Sequence, residues 1–223
     1  MANLIVSGDT SGSITLSAPA VSGSSVLTLP VTTDTLVGKA TTDTLTNKTL
    51  TAPAISSAVL TTMASSVITS GTAVASTSGT SIDFTSIPSW VKRITVMFNG
   101  VSVSGTSSIL VQLGTSGGIQ STGYVSAGSV NHSGGTGSGT STAGLMIFTD
   151  TATFVLSGNM IICNQSGSTW VSSHSTGATG AANGQSSGGG VKSSLASTLD
   201  RIRITTVNGT DTFDAGSINI LYE

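Results

Sequence analysis

Short runs in which apolar and polar residues alternate recur along this chain, and most of them stop at Pro, Gly or Asn-Gly. Near the N-terminus they read Ser13-Ile14-Thr15-Leu16-Ser17-Ala18-Pro19 and Ser25-Val26-Leu27-Thr28-Leu29-Pro30, each closed by a proline. A period of two puts every second side chain on one face and predicts strands. Asp34-Thr35-Leu36-Val37 is echoed by Asp43-Thr44-Leu45-Thr46, and Thr49-Leu50-Thr51-Ala52-Pro53 repeats the first proline-closed run. The repeats are spaced too irregularly for a solenoid. Residues 54–78 read as a connector of small residues with at most a short helix around 55–63.

From residue 79 the pattern changes and aromatic residues enter. Strand-like runs are expected at 81–84, 93–98, 101–104, 109–113, 144–148, 153–156, 160–163, 169–172, 201–205 and 217–222. Asn99-Gly100 and Asn208-Gly209 carry hairpin-turn chemistry. Such spacing predicts an antiparallel β-sandwich, jelly-roll-like in type. Two Gly/Ser-rich stretches, 128–143 and 172–190, hold too few apolar residues for a core and are expected to be long loops.

Composition sharpens the fold class. The chain has 40 Ser, 37 Thr and 28 Gly in 223 residues, while only 7% of residues are charged. Amphipathic helices need Glu, Lys, Arg or Gln on their wet face, and these are scarce. Thr, Val and Ile suit a pleated, half-buried surface, so the chain is expected to be all-β. A net charge of −2 from seven Lys+Arg and nine Asp+Glu leaves no basic surface for nucleic acid. With 37% hydrophobic residues it also falls outside the highly charged disordered class. No apolar run is long enough for a membrane helix, and residues 1–25 carry no signal-peptide pattern. The single cysteine, Cys163, excludes an internal disulfide.

The two halves differ in what they can bury. Residues 1–78 contain no aromatic residue and no arginine. One copy of such a segment has too little apolar material for a core. Three copies wound together would present their Ile, Leu and Val to one another, so an intertwined strand anchor and stalk in a homotrimer is expected. The organisation that follows is an attachment segment at 1–37, a stalk or connector at 38–78, and a sandwich tip at 79–223.

Signals for chemistry are sparse. The two histidines, His132 and His174, lie in the Gly/Ser-rich stretches and are expected to be exposed. Serine is too common here for a Ser–His–Asp pattern to carry information. Asp83, Asp150, Asp200, Asp211 and Asp214 are dispersed beside strands and turns rather than paired for glycoside hydrolysis. No His-x-His, Cys-x-x-Cys or calcium-loop spacing occurs, and no phosphate loop. No catalytic residue, metal site or cofactor is expected, and the chain does not read as an enzyme. Cys163, in the apolar run Met160-Ile161-Ile162-Cys163, is expected to be buried and inert. Trp90, Phe84, Phe98, Phe148 and Phe154 are expected in the core. Tyr124 and Trp170 flank the glycine-rich stretches and could stack on a sugar or a neighbouring subunit; with His132 and His174 they form the candidate ligand-binding set.

The run 34–53, Asp34-Thr35-Leu36-Val37-Gly38-Lys39 through Leu45-Thr46-Asn47-Lys48-Thr49-Leu50-Thr51-Ala52-Pro53, resembles a module near the N-terminus of tailed-bacteriophage structural proteins, tail fibres included. The segment 82–105, with Ile87-Pro88-Ser89-Trp90, and the closing Ser217-Ile218-Asn219-Ile220-Leu221-Tyr222-Glu223 are similar to phage fibre head domains. The resemblance implies a virion protein assembled in the host bacterial cytoplasm. It implies a trimer with an N-terminal segment held by other virion proteins of tail or capsid and a distal globular tip. The first expectation is a short tail fibre whose tip contacts host-surface glycan. A head fibre or capsid decoration protein is the alternative, and a polysaccharide-degrading tailspike the remote one. The stalk, at most 78 residues, is too short for a long receptor-reaching leg.

Overall fold

The computed structural model describes residues 3–7, 11–17, 49, 51, 68–180 and 183–223. The chain divides into two units, Met1–Val59 and Leu60–Glu223. In the first, β1 (Asn3–Ser7) and β2 (Ser13–Ser17) form an antiparallel hairpin with Asn3 opposite Ser17 and Ser7 opposite Ser13. The proline-closed run at 25–30, the repeats at 34–46 and the helix considered at 55–63 lie outside the described residues.

The second unit is an antiparallel β-sandwich, with no helix among the described residues. Its strands are β3 (Thr69–Ser70), β4 (Val74–Ala75), β5 (Ser81–Phe84), β6 (Arg93–Val103), β7 (Ile109–Thr115), β8 (Gly118–Ile119) and β9 (Tyr124–His132). They continue with β10 (Gly135–Ser141), β11 (Leu145–Ile147), β12 (Val155–Ser166), β13 (Thr169–Thr179), β14 (Gly184–Lys192), β15 (Arg201–Thr206) and β16 (Phe213–Tyr222). The larger sheet has the order β10-β9-β14-β13-β12-β6-β16-β3, with β4 also on β16. The smaller has the order β11-β7-β15-β5, with β8 on β7. Thr69–Ser70 and Val74–Ala75, in the stretch expected to be stalk, pair with the last strand of the sandwich.

The core forms where period-two faces meet. Ile94, Val96, Phe98, Leu156, Met160, Ile162, Ile218 and Ile220 face inward from the larger sheet. Ile109, Val111, Leu113, Ile202, Ile204, Ile82 and Phe84 belong to the smaller sheet and join the same cluster. Burying one such side chain is worth about 1.5–3 kcal/mol. Phe84, Phe98 and Phe154 are in this core as expected.

Two readings of the sequence need correction. Asn99-Gly100 does not turn the chain; both residues lie inside β6. Gly100 (φ 65°) and Gly216 (φ 86°) take left-handed backbone where the register of β6 shifts against both β12 and β16. A Cβ on Gly216 would stand 2.3 Å from the Gly100 carbonyl oxygen, so the close approach requires glycine. The stretches 128–143 and 172–190 are not long loops either, since β9, β10, β13 and β14 run through them. Several of their inward positions are glycine: Gly128, Gly137, Gly139, Gly188 and Gly190. Phe148 lies against Gly137 and Gly139, and the His174 ring stands over Gly188, so large side chains from elsewhere fill the space glycine leaves.

Candidate functional site

The four candidate residues do not make one surface. Tyr124 opens β9 on its inward face and is 1% exposed. Its hydroxyl accepts from the Leu113 amide (2.6 Å) and lies 3.0 Å from the Gln120 carbonyl as a donor. Burial raises the phenol pKa well above its ordinary value. Lys192, also inward, sets its ammonium 5.4 Å from the Tyr124 ring centre and donates to the carbonyls of Ser193 and Ser194. Desolvation lowers the Lys192 pKa. The Tyr124 ring is therefore committed to the interior and offers no face to a ligand.

Trp170 is likewise buried, but it lines a cavity of about 430 Å³ together with Val91, Lys92, Asn164, Leu195 and Leu199. The two histidines are not exposed loop residues. His132 has its Nε2 3.3 Å from an Asp150 carboxylate oxygen, while Nδ1 accepts from the Gly134 amide at 3.1 Å. Its ring meets Phe154 edge-on at 5.2 Å. His174 sits on the inward face of β13, opposite Met160 on one side and Gly188 on the other. Neither of its ring nitrogens has a hydrogen-bond partner among the described residues. Desolvation pushes its pKa down to about 4.

These placements decide the available chemistry. His132 already has both nitrogens engaged, with no nucleophile among their partners. His174 has no acid to orient it. Among the described residues no three His, Cys, Asp or Glu side chains converge as metal ligands.

Sequence reasoning missed the exposed apolar residues. Trp90, expected in the core, is 52% exposed and leans on Tyr222, ring centres 5.9 Å apart. It sits in the turn Ser89-Trp90, which the Val91 amide closes on the Pro88 carbonyl before β6 begins. Cys163, expected to be buried, is half-buried on the outward side of β12. Val125 and Val171 are outward and exposed on β9 and β13.

Charge is unevenly spread over the outer faces of the sandwich. On the smaller sheet Arg203 grips Asp83 through two hydrogen bonds of 2.8 and 2.7 Å, and Arg201 holds Asp200 at 2.7 Å. The outer face of β10, β9, β14, β13 and β12 bears no charged side chain among the described residues. On that face a shallow hollow of about 640 Å³ is lined by Ala127, Ser129, Ser138, Thr140, Ser187 and Gly189.

No family model, curated protein or solved structure matches the chain. The residues themselves therefore carry the functional reading.

Proposed function

We propose that this chain is a structural subunit of a bacteriophage virion, a short trimeric tail fibre held to the particle by residues near its N-terminus. Its C-terminal sandwich is the tip and contacts the host surface, with glycan as the partner. The subunit works by building and binding, without catalysis.

The observation that carries this reading is the polarity of the sandwich. The chain enters the larger sheet at Thr69, paired with Tyr222, and Glu223 bonds Arg93 at the same end. The hairpin connections after His132 and Thr179 lie at the opposite end of the long strands. A domain tethered at one pole leaves the other pole free to meet a surface. The module-like run at 34–53 and the aromatic-free first third add support from sequence.

The test is electron microscopy of purified phage particles decorated with an antibody fragment against the sandwich. Label at the tail tip is expected. Label on the head would transfer the subunit to the head-fibre alternative, and unlabelled particles would end the reading.

A further inference from the structure

Among the described residues, the largest apolar side chain left in water stands at the end of the sandwich where the chain enters. Trp90 is 52% exposed, and so is Ile68, the residue before β3. Tyr222 joins the two. Its ring leans on Trp90, and with Leu221 and Ile68 it lines a hollow of about 190 Å³. Charged side chains border this strip: Arg93, paired with Glu223 at 2.8 Å, and the exposed Lys92. An apolar centre with a polar border is the anatomy of a protein interface, and Trp, Tyr and Arg are residues that interfaces favour.

We propose that the strip is where the sandwiches of sister copies meet, Trp90 of each copy lying against the Trp90–Tyr222 edge of the next around a three-fold axis. The proposal rests on the fibre reading, which supplies the sister copies.

Two features select a sister copy as the occupant. The first is place. Residues 1–67 precede the strip, and the chain joins the larger sheet beside it, Thr69 against Tyr222. Three chains leaving one stalk arrive close to its axis, so the surface around Ile68 is the one the copies turn towards each other. The second is symmetry. A patch beside a rotation axis meets its own counterparts, so one apolar strip per copy serves a ring of three without a second, complementary surface.

Size sets what the contact does. A whole tryptophan buries about 150–250 Å², so the exposed halves of Trp90 and Ile68 offer roughly 200 Å² per copy. A stable interface takes about 800 Å² per partner. The strip therefore does not assemble the trimer. It seats sandwiches that the preceding residues already hold together, at the roughly millimolar effective concentration of tethered partners.

The experiment uses the full chain carrying Cys163→Ser and one new cysteine, either Ser89→Cys beside Trp90 or Ser133→Cys in the hairpin at the far pole. Both positions are exposed. A short bismaleimide links chains whose thiols come together, and sedimentation velocity counts the copies. Ser89→Cys is expected to link about tenfold faster than Ser133→Cys, because coupling follows thiol access and local concentration. Trp90→Asp added to Ser89→Cys is expected to abolish that advantage. Trp90 is exposed in the single copy, so this variant keeps its β circular-dichroism signal. An undiminished rate with Trp90→Asp would overturn the contact, the stalk alone bringing the ends together. Equal rates at the two positions would overturn it as well and assign Trp90 to the chain's own preceding segment. In both cases a wild type that sediments as three copies leaves the fibre reading standing. A wild type that sediments as one or two copies overturns both.

Discussion

The ring of Phe148 rests on Gly139: a methyl group there would stand 2.9 Å from two of its ring carbons. Gly137 is held the same way, its added Cβ meeting the ring at 2.7 Å. Replacing either glycine by alanine forces the ring or the strand to move. Gly139→Ala is expected to cost about 1–3 kcal/mol, the usual range for overpacking. Ser138→Ala, whose side chain points outward between them, is expected to change stability by less than about 0.5 kcal/mol. Urea titration of the two variants checks the contrast.

His174 makes the sandwich sensitive to acid. Its folded pKa, about 4, lies below its ordinary 6.5. Above the unfolded value both states are neutral there and the group has no effect on stability. As pH falls between the two values the unfolded chain takes the proton first, and the fold loses stability. The loss levels off below the folded pKa at about 3 kcal/mol, following from the 1.36 kcal/mol that each pKa unit represents. His174→Leu is expected to remove this slope, and it leaves no polar ring atom buried without a partner. Melting temperature measured from pH 7 to pH 4 for both chains tests it.

Trp90 and Phe98 separate an exposed aromatic from a buried one. Trp90 is 52% exposed, whereas Phe98 is 3% exposed in the centre of β6. Phe98→Ala is expected to cost about 3–5 kcal/mol. Trp90→Ala loses only partial burial and the contact with Tyr222, for which about 1 kcal/mol is expected. Equal losses by denaturant titration would place Trp90 back in the core.

The Asp83–Arg203 pair is well shaped but wet, each side chain being 38% exposed. The hydrogen bonds that Arg203 donates to Asp83 raise the Arg203 pKa, so the arginine remains charged throughout the useful pH range. Asp83→Asn is expected to cost no more than about 1 kcal/mol, and less in high salt. Thermal melts at low and high ionic strength read this directly.

The all-β class and the strands carrying Ile, Val, Leu and Phe were legible because branched and aromatic side chains mark a buried pleat openly. The glycine half of the larger sheet was not. Gly135-Thr136-Gly137-Ser138-Gly139 alternates with the same period, but glycine in the inward places carries no apolar signal. The side chain that covers it, Phe148, lies on a later segment. Missing these strands also misplaced Tyr124 and His174. Each flanks or occupies what reads as loop, yet each faces the interior once its neighbours are paired. Trp90 erred in the other direction, since nothing in an aromatic residue after Pro88-Ser89 says that the chain is leaving the sheet edge.

The border strand β10 has a further consequence. It ends the larger sheet, so half its backbone groups have no strand beside them among the described residues. Natural sheets guard such rims with lysine, proline or a kink, and Gly135–Ser141 has none of these. Its safeguard is blandness: glycine, serine and threonine offer an intruding peptide hydrogen bonds but no oily side chain to hold it. A lone isoleucine introduced at Ser138 would remove that protection and turn a quiet margin into a seed for fibrillar clumping.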